Sequence, residues 1–350
     1  MTLSTDRHIA LDAFRGFIML LLVSNGLGFF WLLDHPTYGG VAACFEHVAW
    51  DGLMFWDLVQ PAFLFIVGVA MPFALSKRRE EGATQREMFL RVVRRSVVLI
   101  VLSQILIIIA EQRIYFQLIN VLSQIALTYF LTYLLLPLKF RWQVVSGAAI
   151  LVGHSVLFMG YPSGFSPTDN IGAVLDRAVL GYNYVGGYVT INFLTSTVTT
   201  LAGAWTGMLL KSQRSLRRKG AMLVAWAAGS LGAGIGLSVV VPIVKRLWTA
   251  SFTLYSLGWV LLMMVGFLLV VEVCRLQKLV FPLVVVGMNP LFYYCMGFLL
   301  RDAITSWLHP FTGGFSFAGD LAPVAQALAV IVVMWMVAYW LYRHKIFFKV

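Results

Sequence analysis

Charge is what this chain has least of. Only 12% of its 350 residues are Asp, Glu, Lys or Arg, about half the share found in soluble domains, while 60% are hydrophobic. That balance excludes an ordinary soluble protein. Acid is scarcer than base, 15 residues against 26. The excess does not point to nucleic acid, because Lys and Arg fall in short clusters between apolar runs, as topology signals do. Cysteine is nearly absent: Cys44, Cys274 and Cys295 have neither disulfide nor metal-ligand spacing and read as small hydrophobes. Motifs are missing too. There is no P-loop, no His-Glu-x-x-His, no Gly-x-Ser-x-Gly and no cysteine pair for a metal. With no metal expected, group transfer, hydrolysis and proton-coupled transport remain.

What is present is a series of apolar runs near twenty residues, each long enough for a bilayer core of roughly 30 Å. They predict an all-α, polytopic integral membrane protein with about ten spans, near 10–33, 53–76, 93–110, 118–137, 143–160, 189–210, 221–241, 251–272, 279–300 and 321–342. No window is left for a soluble domain, so residues 1–350 are expected to form a single membrane domain. The first run carries Asp12 and Arg15 in its leading turn and no small-residue cleavage site, and reads as a retained span. With an even number of spans and both termini in the cytoplasm, only Arg113, Arg177, Lys245, Arg246 and Arg301 of the 26 basic residues fall outside, leaving 21 within. That asymmetry sets the orientation. Three longer loops, 34–52, 161–188 and 301–320, then face outward as ordered loops or a lid.

Polar residues interrupt the first two runs. Asp12, Arg15, Asn25, His47, Asp51 and Asp57 all lie between Leu11 and Met71. An ionisable side chain at a helix centre costs ~2.5–3.5 kcal/mol on insertion scales, so such groups usually face a protein-lined cavity. His47, after Glu46 and before Trp50 and Asp51, has an imidazole suited to take a proton near neutral pH. A neighbouring carboxylate would fix its tautomer. Asp57 needs a partner if buried, and His47 or a substrate amine would serve. Asn25, on the outer half of the first run, is placed to donate to a developing oxyanion or to clasp another helix. Asp12 and Arg15, three apart, share a helix face; they either pair or give Arg15 to an anion. Arg94 and Arg95 open the third run as topology markers or phosphate ligands. His35, His154 and His309 have no comparable neighbourhood and read as structural.

Taken in order, Leu11-Asp12-Ala13-Phe14-Arg15-Gly16, His47-Val48-Ala49-Trp50-Asp51-Gly52, Asp57 to Gly68, Val121 to Phe130, Val241 to Phe252, Gly287-Met288-Asn289-Pro290-Leu291 and Tyr342 to Phe347 resemble the transmembrane acyltransferase family of heparan-alpha-glucosaminide N-acetyltransferase and its bacterial relatives. The resemblance covers nearly the whole chain. It implies transfer of an acetyl group from cytoplasmic acetyl-CoA, as co-substrate, to an amino sugar or glycan across the membrane. His47 matches the family's active-site histidine, Asn25 its asparagine with a one-residue shift, and Arg95 an arginine opening the next span. The chain departs from the family at Ser123-Gln124, where Gln-Arg is common, and at Gln60, where Phe is common.

The expected site is therefore His47, Asn25 and Asp57 for catalysis, Arg15, Arg94, Arg95 and Asp12 for the CoA end, and Trp50, Asp51 and Glu46 for the acceptor. The bilayer expected is a bacterial inner membrane, and self-association into a homodimer stays open. His47 either deprotonates the acceptor or carries the acetyl group itself. Two rivals stand beside the enzyme: a secondary transporter with Asp12, Arg15 and Asp57 as a proton relay, and a scaffold whose polar residues only clasp helices.

Overall fold

The structure, a computed structural model, describes residues 8–348. Arg7 and Lys349, counted above among the cytoplasmic charges, lie outside the described residues. The chain is an all-α, polytopic membrane protein. In order the helices are α1 (Ile9–Val23), α2 (Gly39–Ala42), α3 (Val59–Glu80), α4 (Gln85–Glu111), α5 (Val121–Leu135) and α6 (Phe140–Met159). There follow α7 (Ile171–Leu180), α8 (Asn192–Lys211), α9 (Leu216–Ser238), α10 (Ala250–Leu268), α11 (Gln277–Gly287), α12 (Pro290–Thr312) and α13 (Ala322–Arg343). Among the described residues there is no strand, and Asp51 and Val244 form an isolated antiparallel bridge.

Among the described residues, eight segments are long and apolar enough to cross a membrane, and one of these, Pro290–Arg343, holds both α12 and α13. Two further apolar helices are short. At 15 and 11 residues, α5 and α11 reach about 22 and 16 Å at 1.5 Å per residue, less than a bilayer core.

Several expected boundaries are corrected. The run expected at 279–300 is broken at Met288–Asn289, where Pro290 opens α12, because proline has no N–H to continue α11. The run expected at 10–33 corresponds to the apolar segment Ile9–Leu32, but it is α-helical only to Val23 and continues as the 3₁₀ segment Gly26–Leu32, which opens with a left-handed turn at Asn25–Gly28. The third run starts at Gln85 rather than near residue 93. Thr84 Oγ1 accepts from the Glu87 N–H (3.2 Å) and Glu87 returns the bond to the Thr84 N–H (2.9 Å), a capping box that starts the helix two turns before its apolar stretch. The loop expected from Arg301 is helix through Thr312, and the loop 161–188 contains α7.

The chain divides into two compact units. The first contains residues 8–47, 54–59 and 263–348; the second contains 48–53 and 60–262. In the first, α1 and α11 touch backbone to backbone: a Cβ on Gly16 would stand 1.8 Å from the Leu283 carbonyl oxygen, and one on Gly287 1.9 Å from that of Asp12. In the second, α3 and α8 approach as closely through Gly68, where a Cβ would stand 1.9 Å from the Thr200 oxygen. Small residues at crossings let dispersion contacts hold helices together where no hydrophobic effect can.

Candidate active site

Asp57 lies in the 3₁₀ turn Phe55–Leu58 that leads into α3. Its Oδ2 accepts from the Met54 N–H (3.1 Å), capping that turn, while Oδ1 stands 2.7 Å from His47 Nδ1. The residue is 1% exposed, and a carboxylate buried so deeply is stable only when its oxygens are bonded. Because an ionised carboxylate can only accept, Nδ1 carries the proton and donates. A neutral imidazole donating from Nδ1 to an ionised Asp57 would carry its lone pair on Nε2. The His47 side chain is 42% exposed, and its ring lies 6.4 Å from that of Trp56, tilted by 44°. A buried carboxylate thus stands against a half-exposed imidazole, an arrangement chemically able to support proton abstraction.

Asn25 sits where α1 stops. Asn25, Gly26, Leu27 and Gly28 have φ of 49°, 67°, 58° and 77°, a left-handed turn that costs roughly 1–2 kcal/mol for a residue such as Leu27. Ser24 Oγ offsets part of this by accepting from the Leu27 N–H (3.0 Å). An aromatic stack ties the turn to the dyad's segments. Gly26 lies against Phe45, where a Cβ would be 2.9 Å away. Phe29 stacks on Phe45 at 5.3 Å, and Phe45 meets Phe55 edge-on at 5.8 Å. Asn25 also lines a cavity of about 600 Å³ with Trp31, Arg301, Thr305, Gln326 and Val330.

Among the other expected residues, Arg15 bonds Asp12 Oδ1 and the Gly287 carbonyl, each at 3.2 Å, so the pair helps hold α1 against α11. Arg95 places its guanidinium 4.5 Å from the centre of the Tyr129 ring, and its Nε is buried with no hydrogen-bond partner. Arg94 is exposed on the same helix. Both lie three turns inside α4 rather than at its start. Glu46 is exposed. Trp50 Nε1 donates to the Phe165 carbonyl (3.1 Å), and Asp51 Oδ1 accepts from the Ile243 N–H (2.8 Å). Both side chains thus fasten their loop to other loops of the second unit.

Sequence reasoning missed a chain of amides in the second unit, of which Gln124 and Asn192 are buried. Gln60 Nε2 donates to Gln124 Oε1 (2.6 Å), and Gln124 Nε2 to Asn192 Oδ1 (2.5 Å). Gln60 and Gln124 stand out in the sequence as departures from a family pattern; Asn192, which opens α8, carries no such signal. Asn289 was missed as well. It is 1% exposed, donates to the Ile346 carbonyl (2.8 Å) and accepts from the Phe348 N–H (2.9 Å), tying the last described residues to the start of α12. Among the described residues, no group of three or more His, Cys, Asp or Glu stands ready to hold a metal.

Residues 7–162 match a family described as a domain of unknown function, DUF5009. Heparan-alpha-glucosaminide N-acetyltransferase of Mus musculus is 30% identical over 104 residues, which are 30% of this chain and 14% of that protein. The Homo sapiens protein of the same name is 29% identical over 98 residues, 28% of this chain and 13% of that protein. The similarity thus spans a small part of those relatives. Within it, the chain is related to the heparan-alpha-glucosaminide N-acetyltransferase family.

Proposed function

We propose that this protein is a membrane acetyltransferase that moves an acetyl group from cytoplasmic acetyl-CoA to an amino sugar on the opposite side, the whole chain acting as one membrane domain. The observation that carries the reading is the 2.7 Å contact between His47 Nδ1 and the buried Asp57 carboxylate. Its relatives, named as N-acetyltransferases, support the reaction class.

In the direct route, Nε2 takes a proton from the acceptor amine as nitrogen attacks the thioester carbon. The C–S bond breaks, and the imidazolium returns the proton to the departing thiolate, leaving amide and free CoA. In the stepwise route, Nε2 itself attacks the thioester carbon and the C–S bond breaks, CoA leaving as thiolate. The amine then attacks the acetyl carbon, the N–C bond to the imidazole breaks, and the amine's proton ends on the thiolate. Either way Asp57 stabilises the imidazole in the required tautomer, and Asn25 is the amide suited to donate to the carbonyl oxygen as it gains charge.

Arg95, with a buried donor left unpartnered, is the residue best suited to a CoA phosphate; Arg94, Arg15 and its neighbour Asp12 are further candidates for the nucleotide end. Glu46 is offered to the acceptor, while Trp50 and Asp51 are assigned to holding the loop between Val48 and Leu53. Purified protein given labelled acetyl-CoA and glucosamine tests the reading. Acceptor-dependent release of free CoA and labelled N-acetylglucosamine is expected. Uptake of substrate into proteoliposomes with acetyl-CoA left intact would instead make it a transporter.

A further inference from the structure

The α12 helix is partly uncovered from its midpoint on. At Gly297 it is pressed on α1, since a Cβ there would stand 2.4 Å from Val23 Cγ2. The next three residues, Phe298, Leu299 and Leu300, are all exposed. Ile304, one turn further on, is buried again, and Gln326 of α13 bonds the Thr305 carbonyl, so beyond Gly297 the helix is uncovered on one broad side while another keeps its neighbours. The cavity that Asn25 lines opens in the resulting wedge, between α12, the first turns of α13 and the segment after α1.

The wedge is polar at one part and apolar elsewhere. Arg301 Nε donates to Asp302 Oδ1 (3.1 Å), and the Asp302 side chain is 88% exposed. Gln326 bonds the Thr305 carbonyl (3.3 Å), placing an amide beside them. Trp31, 72% exposed, and Val330 with Ala327 supply apolar wall. Arg301 and Asp302 stand near the middle of a 23-residue helix of membrane length, at the level of exposed Phe298, Leu299 and Leu300. Charge at that depth is costly unless it faces a polar occupant or a water-filled cavity. Broken backbone at that depth, as at Asn25–Gly28, is likewise tolerated where it is buried or lines a cavity.

From this we infer that the wedge is the acceptor site and that the acceptor is an amphiphile, a lipid-borne amino sugar entering sideways from the bilayer. On entry, before any transfer, its ammonium group is held by the Asp302 carboxylate beside Asn25, its hydroxyls by Arg301 and Gln326, and its apolar portion runs past Trp31 into lipid. A free sugar in water would have no use for a wedge flanked by lipid-facing residues. The inference rests on the acetyl-transfer reading for its chemistry, though not for its binding.

The test uses the purified full chain in nanodiscs, with dodecyl glucosaminide and glucosamine as probes. Binding of each is measured without acetyl-CoA, by change in tryptophan fluorescence, and transfer is measured with labelled acetyl-CoA. Dodecyl glucosaminide is expected to bind and to be acetylated with a KM at least about tenfold lower than glucosamine, as burial of even a few methylenes requires. Asp302→Asn and Trp31→Ala are each expected to raise that KM about tenfold or more while leaving the KM for acetyl-CoA unchanged, with Asp302→Glu and Trp31→Phe recovering much of the loss. Dodecyl tetraglucoside, which lacks the amine, should not compete. Equal KM values for the two probes, or variants that bind dodecyl glucosaminide like wild type, would overturn the wedge assignment. Binding that depends on Asp302 and Trp31 without any transfer would keep the site and sink the acetyltransferase.

Discussion

The two units keep polar groups away from lipid by different means. In the first, helices are interrupted: α1 stops at Asn25, a 3₁₀ turn carries Asp57, and α11 gives way to α12 at Asn289. The ionisable pairs His47–Asp57 and Asp12–Arg15 belong to this unit. In the second, α4, α8 and α9 run 20 to 27 residues without a break. Its buried polar groups are mostly neutral: the Gln60–Gln124–Asn192 amides and the Ser103–Ser123 hydroxyls (2.9 Å). Interrupted backbone leaves a side chain room to be reoriented and solvated, whereas neutral groups on unbroken helices can only bond their neighbours. On the proposed function, the first unit would carry the proton chemistry, while the amides of the second would clasp helices.

Breaking the first unit's dyad should have the largest effect. His47→Ala should lower acetyl transfer by about 10²–10⁴-fold, the range for a general base, and Asp57→Asn by roughly a hundredfold or more through loss of the tautomer. Both are read as kcat with labelled acetyl-CoA, alongside a thermal melt to show that the protein is folded. If Asp57→Asn keeps full activity, Asp57 is only the cap of its turn.

Next comes the CoA end. Arg95→Ala should weaken acetyl-CoA binding by about 1.5–3 kcal/mol, as loss of a charge-assisted hydrogen bond does, in a titration calorimetry experiment. Unchanged affinity would reduce Arg95 to its contact with Tyr129. Smaller still is the clasp: Gln124→Leu should cost about 0.6–1.7 kcal/mol of stability, the scale of interhelical bonds in membranes, seen as a lower melting temperature. A comparable collapse of kcat in that variant would erase the distinction between the units.

The smallest effect belongs to Asp176 in α7, a buried carboxylate that accepts from the Thr190 N–H (2.9 Å). Burial raises its pKa above 3.8, and the bonds to Thr190 only partly counter this. Relative to the unfolded chain, its contribution is therefore fully present below about 3.8 and lost as pH rises through the elevated value. Asp176→Asn should leave the melting temperature unchanged near pH 3.5 and raise it slightly at pH 7.

Much of the fold was legible in the sequence because span-length apolar runs have one solution in lipid, a helix. Boundaries were less so, since hydropathy records where apolar character ends rather than where hydrogen bonding does. Arg301 ended a run on paper, yet α12 continues to Thr312; the third run was placed near residue 93, yet the Thr84 cap begins α4 at Gln85. The break at Asn25–Gly28 left no trace in hydropathy, because left-handed φ at Leu27 is a backbone property. At the candidate site, residue types and order marked His47 and Asp57, but their meeting across ten residues depends on the turn Phe55–Leu58. The wedge was invisible, since Trp31, Arg301 and Gln326 are brought together only where α12 is partly uncovered beyond Gly297.

The central claim is that the chemistry belongs to the His47–Asp57 dyad. It is tested most directly by assaying wild type, His47→Ala and Gln124→Leu side by side, in one membrane mimetic, for acetyl transfer from labelled acetyl-CoA to an amino sugar. The account expects folded His47→Ala to lose at least about a hundredfold in kcat and Gln124→Leu to keep most of its rate at a lower melting temperature. Wild-type turnover by a well-folded His47→Ala protein would contradict it.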